Sequence, residues 1–233
     1  GPFRSRMLES IINEARQLAD SGTRELILIA QDVSRYGEDR YHESTLVKLI
    51  RELSQIEAIN WIRLLYCYPE RIDDALIQEM KNNPKLVKYL DIPIQHASDR
   101  ILKAMGRKSR QEELIKLMDT LRKEVPGIIL RTSLITGFPG ETEEDFNTLV
   151  GFIKAHPFDR LGVFAYSQEE GTPAAAMESQ VEEQIRENRR ELLLSVQSEI
   201  AVKRLKKRIG HAYQVLAEGV ADDGIFYYGR SYG

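Results

Sequence analysis

The chain has 233 residues, of which 42% are hydrophobic and 30% are charged, so it is long enough and apolar enough to bury a sizeable core. Its net charge of -3 gives no bulk electrostatic reason to bind nucleic acid or membrane, and no apolar run is long enough to span a bilayer. The single cysteine, Cys67, excludes an internal disulfide framework and any multi-thiolate metal site made by this chain alone, and it suits a reducing cytoplasm.

Apolar spacing predicts helices that alternate with strands. The chain starts at Gly1 without an initiator methionine, so we expect it to be a piece of a longer polypeptide. Helices are predicted at residues 8–19, 46–53, 73–81, 98–105, 109–123 and 143–155, and strands at 25–30, 61–65, 87–90, 128–134 and 161–165. This alternation indicates βα units on a parallel sheet, and five strands are too few for a closed eight-fold barrel.

The last part of the chain has a different pattern. A long charged helix is predicted at about 182–208, and from His211 onward the residues alternate between apolar and polar around a turn at Asp222-Asp223-Gly224. We place a domain boundary near Ile209-Gly210, which separates a core of residues 1–208 from residues 209–233. Because a lone hairpin is marginally stable, the tail is expected to begin a truncated small β-domain.

Polar and aromatic side chains follow the predicted strands, at the edge of the sheet where α/β enzymes bind ligands. The set contains no evident nucleophile–base pair, which favours binding of a polar cofactor that performs the chemistry itself. Its members are Gln31, Asp32, Tyr66, Tyr68, Pro69, Asp91, Pro93, Gln95, His96, Ser98, Arg131, Ser133, Gly137, Glu141, Tyr166 and Ser167.

Five ordered motifs carry a resemblance to a known family. They are Gly1-x-x-Arg4-Ser5-Arg6, Ala30-Gln31-Asp32-x-x-x-Tyr36-Gly37, Asp91-Ile92-Pro93-Ile94-Gln95-His96-x-Ser98-x-x-x-Leu102-x-x-Met105-x-Arg107, Arg131-Thr132-Ser133-Leu134-Ile135-x-Gly137-Phe138-Pro139-Gly140-Glu141-Thr142, and Phe164-x-Tyr166-Ser167-x-x-x-Gly171-Thr172-x-Ala174. On these motifs the chain resembles the radical S-adenosylmethionine (SAM) methylthiotransferases over nearly its whole length.

The resemblance implies an α/β fold: an open, partial (β/α) barrel of parallel strands whose first strand is missing, followed by the start of a TRAM-like β-domain. In that family the intact enzyme holds SAM and two 4Fe-4S clusters. The cluster-binding CxxxCxxC segment, the N-terminal domain and most of the TRAM domain are absent from this sequence, and Cys67 matches none of the cluster cysteines. We therefore expect this polypeptide to hold no metal and to be inactive alone.

Ala30-Gln31-Asp32 and Gln95-His96 are similar to the subtype that modifies an aspartate of small-subunit ribosomal protein twelve. The resemblance implies that a radical derived from SAM abstracts hydrogen from the aspartate β-carbon and that a methylthio group is added there. It also implies an electron donor, a cytoplasmic location and no membrane. The alternatives are a tRNA adenosine methylthiotransferase of the same family and a cluster-free binding module. The oligomeric state stays open.

The resemblance implies a set of cofactor-binding residues, each with a structural alternative. Alternatives for members of this set are a polar turn, a helix cap, a salt bridge, a strand–helix turn, dipole compensation and core packing. The cofactor-binding set is Gln31, Asp32, Gln95, Ser98, Arg131, Ser133, Ile135, Gly137, Glu141 and Tyr166. Arg4 and Arg6 are expected beside the missing cluster loop, where they pair with carboxylates or steer substrate, with plain surface charge as the alternative.

Three further features are interpreted without a role in the cofactor site. His96 is interpreted as a hydrogen-bonded structural histidine, since no second ligand lies at metal-binding spacing. Cys67 is expected to be a small, part-buried apolar residue. The basic residues 203–208 complement the dipole of the long helix, and contact with ribosomal RNA is the alternative for them.

Overall fold

The computed structural model describes residues 2–233; Gly1, which opens the first motif, lies outside the described residues. The helices are α1 Leu8–Asp20, α2 Glu38–Tyr41, α3 Leu46–Ser54, α4 Asp74–Asn82, α5 Asp99–Ala104, α6 Gln111–Glu124, α7 Glu143–Ala155 and α8 Glu183–Lys206. The strands are β1 Glu25–Leu28, β2 Trp61–Leu64, β3 Leu86–Asp91, β4 Ile129–Thr136, β5 Arg160–Ala165, β6 Leu216–Val220 and β7 Tyr227–Arg230.

The first five strands form one parallel sheet in the order β1-β2-β3-β4-β5. Each strand therefore lies beside its neighbour in sequence, with helices in the connections, as in the wall of a (β/α) barrel. The predicted α/β class and parallel sheet are confirmed. Because every strand points the same way, the residues that follow the strands lie along one rim of the sheet.

Strand β4 shows how the two faces of this sheet differ. Leu130, Thr132, Leu134 and Thr136 are fully buried, whereas the residues between them are half-buried. Leu130 and Leu134 belong to the same apolar core as residues of the helices. Side chains alternate along a strand, so the intervening residues face the other, concave side of the sheet. The concave side is thus the more accessible face.

Helix α7 illustrates why the elements form where the sequence predicts them. The Thr142 hydroxyl accepts a hydrogen bond from Asp145 N at 3.3 Å, and the Asp145 carboxylate accepts one from Thr142 N at 2.9 Å. This reciprocal pair is a capping box, which satisfies two backbone donors that a helix start leaves free. The predicted bounds 143–155 are the observed ones.

Other bounds differ from the prediction at the ends of elements. Strand β1 stops at Leu28 rather than at residue 30, and the segment after it contains a 3-10 turn at Val33–Arg35. The hairpin begins at Leu216, so the alternation predicted from His211 starts before the strand does. Apolar spacing records burial and does not record where ladder hydrogen bonds begin, so such boundaries move by a few residues.

The hairpin of β6 and β7 is a separate antiparallel sheet. Arg230 pairs with Glu25 of β1, and Arg63 Nη1 of β2 donates to the Tyr232 carbonyl at 2.8 Å, so the tail contacts both strands. Phe226 and Tyr227 are more than half exposed. The division at 208/209 stays a prediction. Within residues 2–233, no helix is both long and apolar enough to traverse a bilayer.

Candidate functional site

Two non-glycine residues at the strand-end rim adopt left-handed backbone conformations. Tyr66, just past β2, has φ 60°, and Gln95, past β3, has φ 71°. Backbone hydrogen bonds hold Gln95 in place, because its N–H donates to Ser133 O at 3.0 Å and its carbonyl accepts from Ile135 N at 2.9 Å. Such conformations are costly, and they concentrate at ligand sites.

Arg131 lies on the concave face beside Asp91. Arg131 Nη1 is 2.7 Å from Asp91 Oδ1, and Asp91 Oδ2 also accepts from Tyr66 N at 3.1 Å. Burial lowers the pKa of Arg131, but the Asp91 carboxylate outweighs that effect, and the net shift is upward. Asp91 is fully buried, whereas the Arg131 side chain is 32% exposed. The salt bridge considered as an alternative is therefore present, and contact with a cofactor carboxylate stays a prediction.

Ser133 and Ile135 share the concave face with Arg131 and are half-buried. In the register of β4 with β5, Ser133 pairs with Gly162 and Ile135 pairs with Phe164. Phe164 is 58% exposed, which is unusual for an aromatic side chain on the concave face of a sheet. Polar and apolar surfaces therefore lie side by side here, as they do in small-molecule sites.

Tyr166 lies at the carboxyl end of β5. Its N–H donates to Thr136 O at 2.8 Å, and its ring meets Phe138 edge-on with centroids 5.6 Å apart. The Tyr166 hydroxyl is buried and has no hydrogen-bond partner among the described residues. Buried hydroxyls are normally satisfied, so this group fits a contact with a bound polar molecule.

Gln31 and Arg4 line a cavity of about 850 Å³ at the rim, together with Tyr68 and Arg107. Gln31 is exposed, and its amide makes no hydrogen bond within residues 2–233. Asp32 is buried, and its carboxylate caps the 3-10 turn by accepting from Ser34 N at 3.1 Å. Asp32 therefore has the structural role that was considered as its alternative, that of a polar turn residue. The exposed Gln31 side chain remains accessible to a ligand.

Arg6, unlike Arg4, lies outside this cavity. Its guanidinium pairs with Glu14 of α1 at 2.5 Å, and both side chains are at least half exposed. The surface-charge alternative describes this pair, which is worth little to stability.

Ser98 is directed toward helix α7. Its hydroxyl donates to Asp145 Oδ1 at 2.6 Å, and it occupies the N-cap position of α5 without a capping bond from its side chain. Burial raises the pKa of Asp145, but hydrogen bonds from Arg100, Ser98 and Thr142 outweigh it and hold that pKa well below its usual range. Ser98 therefore links α5 to α7.

Glu141 and Gly137 contact helix α8. The fully buried Glu141 carboxylate accepts from Gly137 N at 2.9 Å through Oε2 and from Arg189 Nη1 at 2.8 Å through Oε1. Gly137 has φ 69°, and a Cβ there would overlap the side chain of Arg186. The glycine is thus required for the close approach of α8. Both carboxylate oxygens of Glu141 are already engaged within the protein.

Arg186 and Arg189 were not predicted as contacts of this loop. The sequence of helix α8 is rich in charged residues, which is typical of a helix that faces solvent. The available signal was the four-residue spacing of Arg189, Leu193 and Gln197, which are its buried residues. A long side chain that packs along its stem is easily mistaken for a surface charge in sequence.

His96 and Cys67 are structural in the described chain. His96 is fully buried, and its Nδ1 accepts from Ser98 N at 2.9 Å, as expected of a hydrogen-bonded structural histidine. Cys67 is fully rather than partly buried, and burial, with Asp32 and Asp91 nearby, raises the pKa of its thiol. Among the described residues no three His, Cys, Asp or Glu side chains converge to hold a metal ion. These residues therefore do not fit an iron–sulfur cluster.

The family model described as "Radical SAM superfamily" matches residues 1–153. With the parallel sheet and the strained rim at its strand ends, this match establishes that the chain belongs to the radical SAM superfamily. The superfamily's chemistry implies SAM and a 4Fe-4S cluster as cofactors.

Curated relatives match this chain along its whole length, and two of them carry the same name. The chain is 56% identical over 232 residues to "Ribosomal protein uS12 methylthiotransferase RimO" of Acetivibrio thermocellus, which covers 100% of this chain and 51% of the relative. It is 54% identical to the protein of that name from Clostridium perfringens, with 100% and 52% covered. The chain therefore spans about half the length of the curated relatives it matches.

Solved structures show the same fold at low sequence identity. Methylornithine synthase (PylB) superposes with a TM-score of 0.57 at 14% identity, covering 85% of this chain and 55% of that one. The coproporphyrinogen III oxidase HemN from Escherichia coli superposes with a TM-score of 0.54 at 16% sequence identity, covering 89% of this chain and 46% of that one. The methyltransferase TsrM from Kitasatospora setae, solved with cobalamin and a [4Fe-4S] cluster, superposes with a TM-score of 0.55 at 20% sequence identity. The match covers 69% of this chain and 31% of that one.

Proposed function

We propose that this chain is the catalytic core of a radical SAM methylthiotransferase that adds a methylthio group to the β-carbon of an aspartate in ribosomal protein twelve of the small subunit. The observation that carries the proposal is the 56% identity, along the whole chain, to a protein named as a uS12 methylthiotransferase. The rim motifs Ala30-Gln31-Asp32 and Gln95-His96 support the same subtype over the tRNA-modifying one.

The concave face and its rim fit SAM. Gln31 and Gln95 offer amides, and Tyr166 offers a buried hydroxyl that has no hydrogen-bond partner within residues 2–233. The exposed part of Arg131 offers a cation for a carboxylate, and Ser133 offers a hydroxyl. Ile135, with Phe164 opposite, offers an apolar surface for the adenine ring. When bound, SAM supplies the radical and methyl chemistry, while these side chains bind, orient and dehydrate it.

Asp32, Ser98, Gly137 and Glu141 belong to the proposed cofactor-binding set, but their contacts within the chain favour positioning roles. Asp32 fixes the loop after β1, and Ser98 ties the loop after β3 to α7. Glu141 and Gly137 tie the loop after β4 to α8. The first two of these loops carry Gln31 and Gln95, and the third follows the strand that carries Arg131, Ser133 and Ile135.

The side chains of residues 2–233 do not provide a set of ligands for an iron–sulfur cluster. We propose that the longer protein carries two 4Fe-4S clusters, with Arg4 beside the first, and that an electron donor and ribosomal RNA are further partners. Residues 1–208 form the core and 209–233 start a TRAM-like domain in this proposal. We place the protein in the cytoplasm.

Mass spectrometry of cells tests the proposed substrate. A strain that lacks the gene is complemented with the longer protein, and peptides of ribosomal protein twelve and nucleosides from tRNA are both examined. We expect the methylthio mass on the aspartate to depend on the gene while methylthioadenosine does not. The reverse pattern would assign the tRNA enzyme. Loss of neither modification, with no iron in the anaerobically purified protein, would assign a cluster-free binding module.

A further inference from the structure

A second cavity lies at the end of the sheet opposite the rim. It has a volume of about 620 Å³ and is lined by the N-terminal ends of β4 and β5, the last turns of α8, and Tyr213 and Tyr232 of the tail. The proposed SAM site is at the carboxyl ends of the same strands. The reaction proposed above does not use this cavity.

The cavity concentrates positive charge from several elements. Arg122 comes from α6, Lys154 from α7 and Arg160 from β5, which are far apart in sequence. Helix α8 and the residues after it add Lys203, Arg204, Lys207 and Arg208. The single acidic side chain in the lining is Asp159. Since the chain as a whole has a net charge of -3, this is a local concentration of cations.

Asp159 neutralises only part of this charge. Its Oδ1 lies 2.6 Å from Arg204 Nη1, and its Oδ2 lies 3.8 Å from Arg122 Nη2, so two guanidiniums share one carboxylate. Burial, followed by the charge of Arg204, lowers the pKa of Arg122, as expected for cations crowded together. Arg208 donates to Ser231 Oγ at 3.1 Å and stacks on Tyr213.

The other four cations have no ion pair or side-chain hydrogen bond within the described part of the chain. They are Lys154, Arg160, Lys203 and Lys207. Helix dipoles do not account for them. The C-terminal ends of α6, α7 and α8 contribute about half a negative charge each, which the excess of cationic over acidic side chains in the lining outweighs several-fold.

We propose that this cavity binds the phosphodiester backbone of RNA. Lysines and arginines spread over an open cavity, with no closed cradle for one phosphate, match a ligand with several phosphates in a row. Tyr213 and Tyr232 add aromatic surface, which single-stranded nucleic acid uses for base stacking. The choice of RNA rests on the proposed function, which names ribosomal RNA as a partner, while the cations of the cavity support binding of phosphates in a row. RNA binding and the modification of the aspartate are measured separately, so either can fail without the other.

Fluorescence anisotropy with a short, labelled, mixed-sequence single-stranded RNA tests this inference over a range of salt concentrations. The test variant carries Lys154→Gln, Arg160→Gln, Lys203→Gln and Lys207→Gln. The control variant makes the same change of net charge at exposed cations of other helices: Arg16→Gln, Lys48→Gln, Lys103→Gln and Lys116→Gln. Each lost phosphate contact lowers the slope of log K against log salt by about 0.7 for single strands.

We expect the test variant to bind the RNA at least about tenfold more weakly than the parent and its slope of log K against log salt to be smaller by about 3. The control variant is expected to keep the affinity and slope of the parent. Equal binding by the two variants would overturn the proposal. The proposal would also be overturned if the parent bound vesicles of anionic phospholipid through these four side chains and did not bind RNA. Displacement of the RNA by inorganic phosphate at constant ionic strength would overturn it as well. If the fluorescence of Trp61 shows that the test variant is unfolded, Lys203→Gln and Lys207→Gln are measured singly by the same criteria.

Discussion

The buried ion pair between Glu141 and Arg189 gives the most quantitative prediction about the loop after β4. The Glu141 side chain is fully buried and that of Arg189 is 9% exposed. Replacing Arg189 by Met keeps an apolar stem along α8 but leaves the Glu141 carboxylate with Gly137 N as a hydrogen-bond donor at 2.9 Å and His96 Nε2 at 3.4 Å. Removal of one partner from a buried pair costs about 3–5 kcal/mol, and we expect Arg189→Met to lose that much free energy of unfolding.

The neighbouring residue supplies a matched control. Arg190 pairs with Glu187 at 2.6 Å, three residues away on the same helix, and both side chains are more than a third exposed. Exposed pairs of this spacing contribute little, so Arg190→Met is expected to cost less than about 0.5 kcal/mol. Both variants remove one guanidinium from α8, but that of Arg189 is buried and also donates to the Glu141 carbonyl and to Glu143.

Urea unfolding followed by the fluorescence of Trp61, the single tryptophan, measures both losses. The double variant Glu141→Gln with Arg189→Met is expected to be less destabilised than the sum of the two single variants, because it no longer buries a lone carboxylate. Losses for Arg189→Met and Arg190→Met within about 0.5 kcal/mol of each other would refute the reasoning.

Three further predictions concern stability and reactivity. Gly137→Ala is expected to lower the melting temperature because it places a Cβ against Arg186 at φ 69°, whereas Gly151→Ala, in α7 with open space around it, is expected to raise it. Because the pKa of Asp145 is lowered in the folded state, its stabilisation is present above the unfolded pKa of about 4 and is lost as pH falls. Urea midpoints should therefore fall more steeply below that pH for the parent than for Asp145→Asn. The Cys67 thiol should resist iodoacetamide in the native chain and react in urea, and fast native labelling would contradict its burial.

The sequence predicted the strands and helices well because burial on a parallel sheet leaves long apolar runs. Helix α7 was predicted at its observed bounds since Thr142 and Asp145 form a local cap, and local chemistry is visible in sequence. The strand-end rim followed from the βα order alone. Arg131 was predicted to bind the cofactor, with a salt bridge as the alternative, and in the structure it pairs with Asp91 of the neighbouring strand.

Contacts between distant elements could not be predicted in the same way. Glu141 carries the same sequence signal whether it binds a cofactor or pairs with Arg189, which lies 48 residues later. The same holds for Ser98 and Asp145, which lie 47 residues apart. The left-handed backbone of Gln95 was equally hidden, since glutamine has no preference for that conformation. Such pairings depend on packing of whole helices against the sheet.

Equilibrium dialysis of labelled SAM against the longer protein, with its cluster reconstituted without oxygen, tests the central claim most directly. Gln95→Asn shortens the amide side chain, and asparagine tolerates the left-handed backbone. Lys116→Gln, at an exposed position of α6, serves as the control. We predict about tenfold weaker SAM binding for Gln95→Asn, the loss of one hydrogen bond of about 1.4 kcal/mol, and no change for the control. Unchanged SAM affinity in a folded Gln95→Asn variant would contradict the assignment of the rim as the cofactor site.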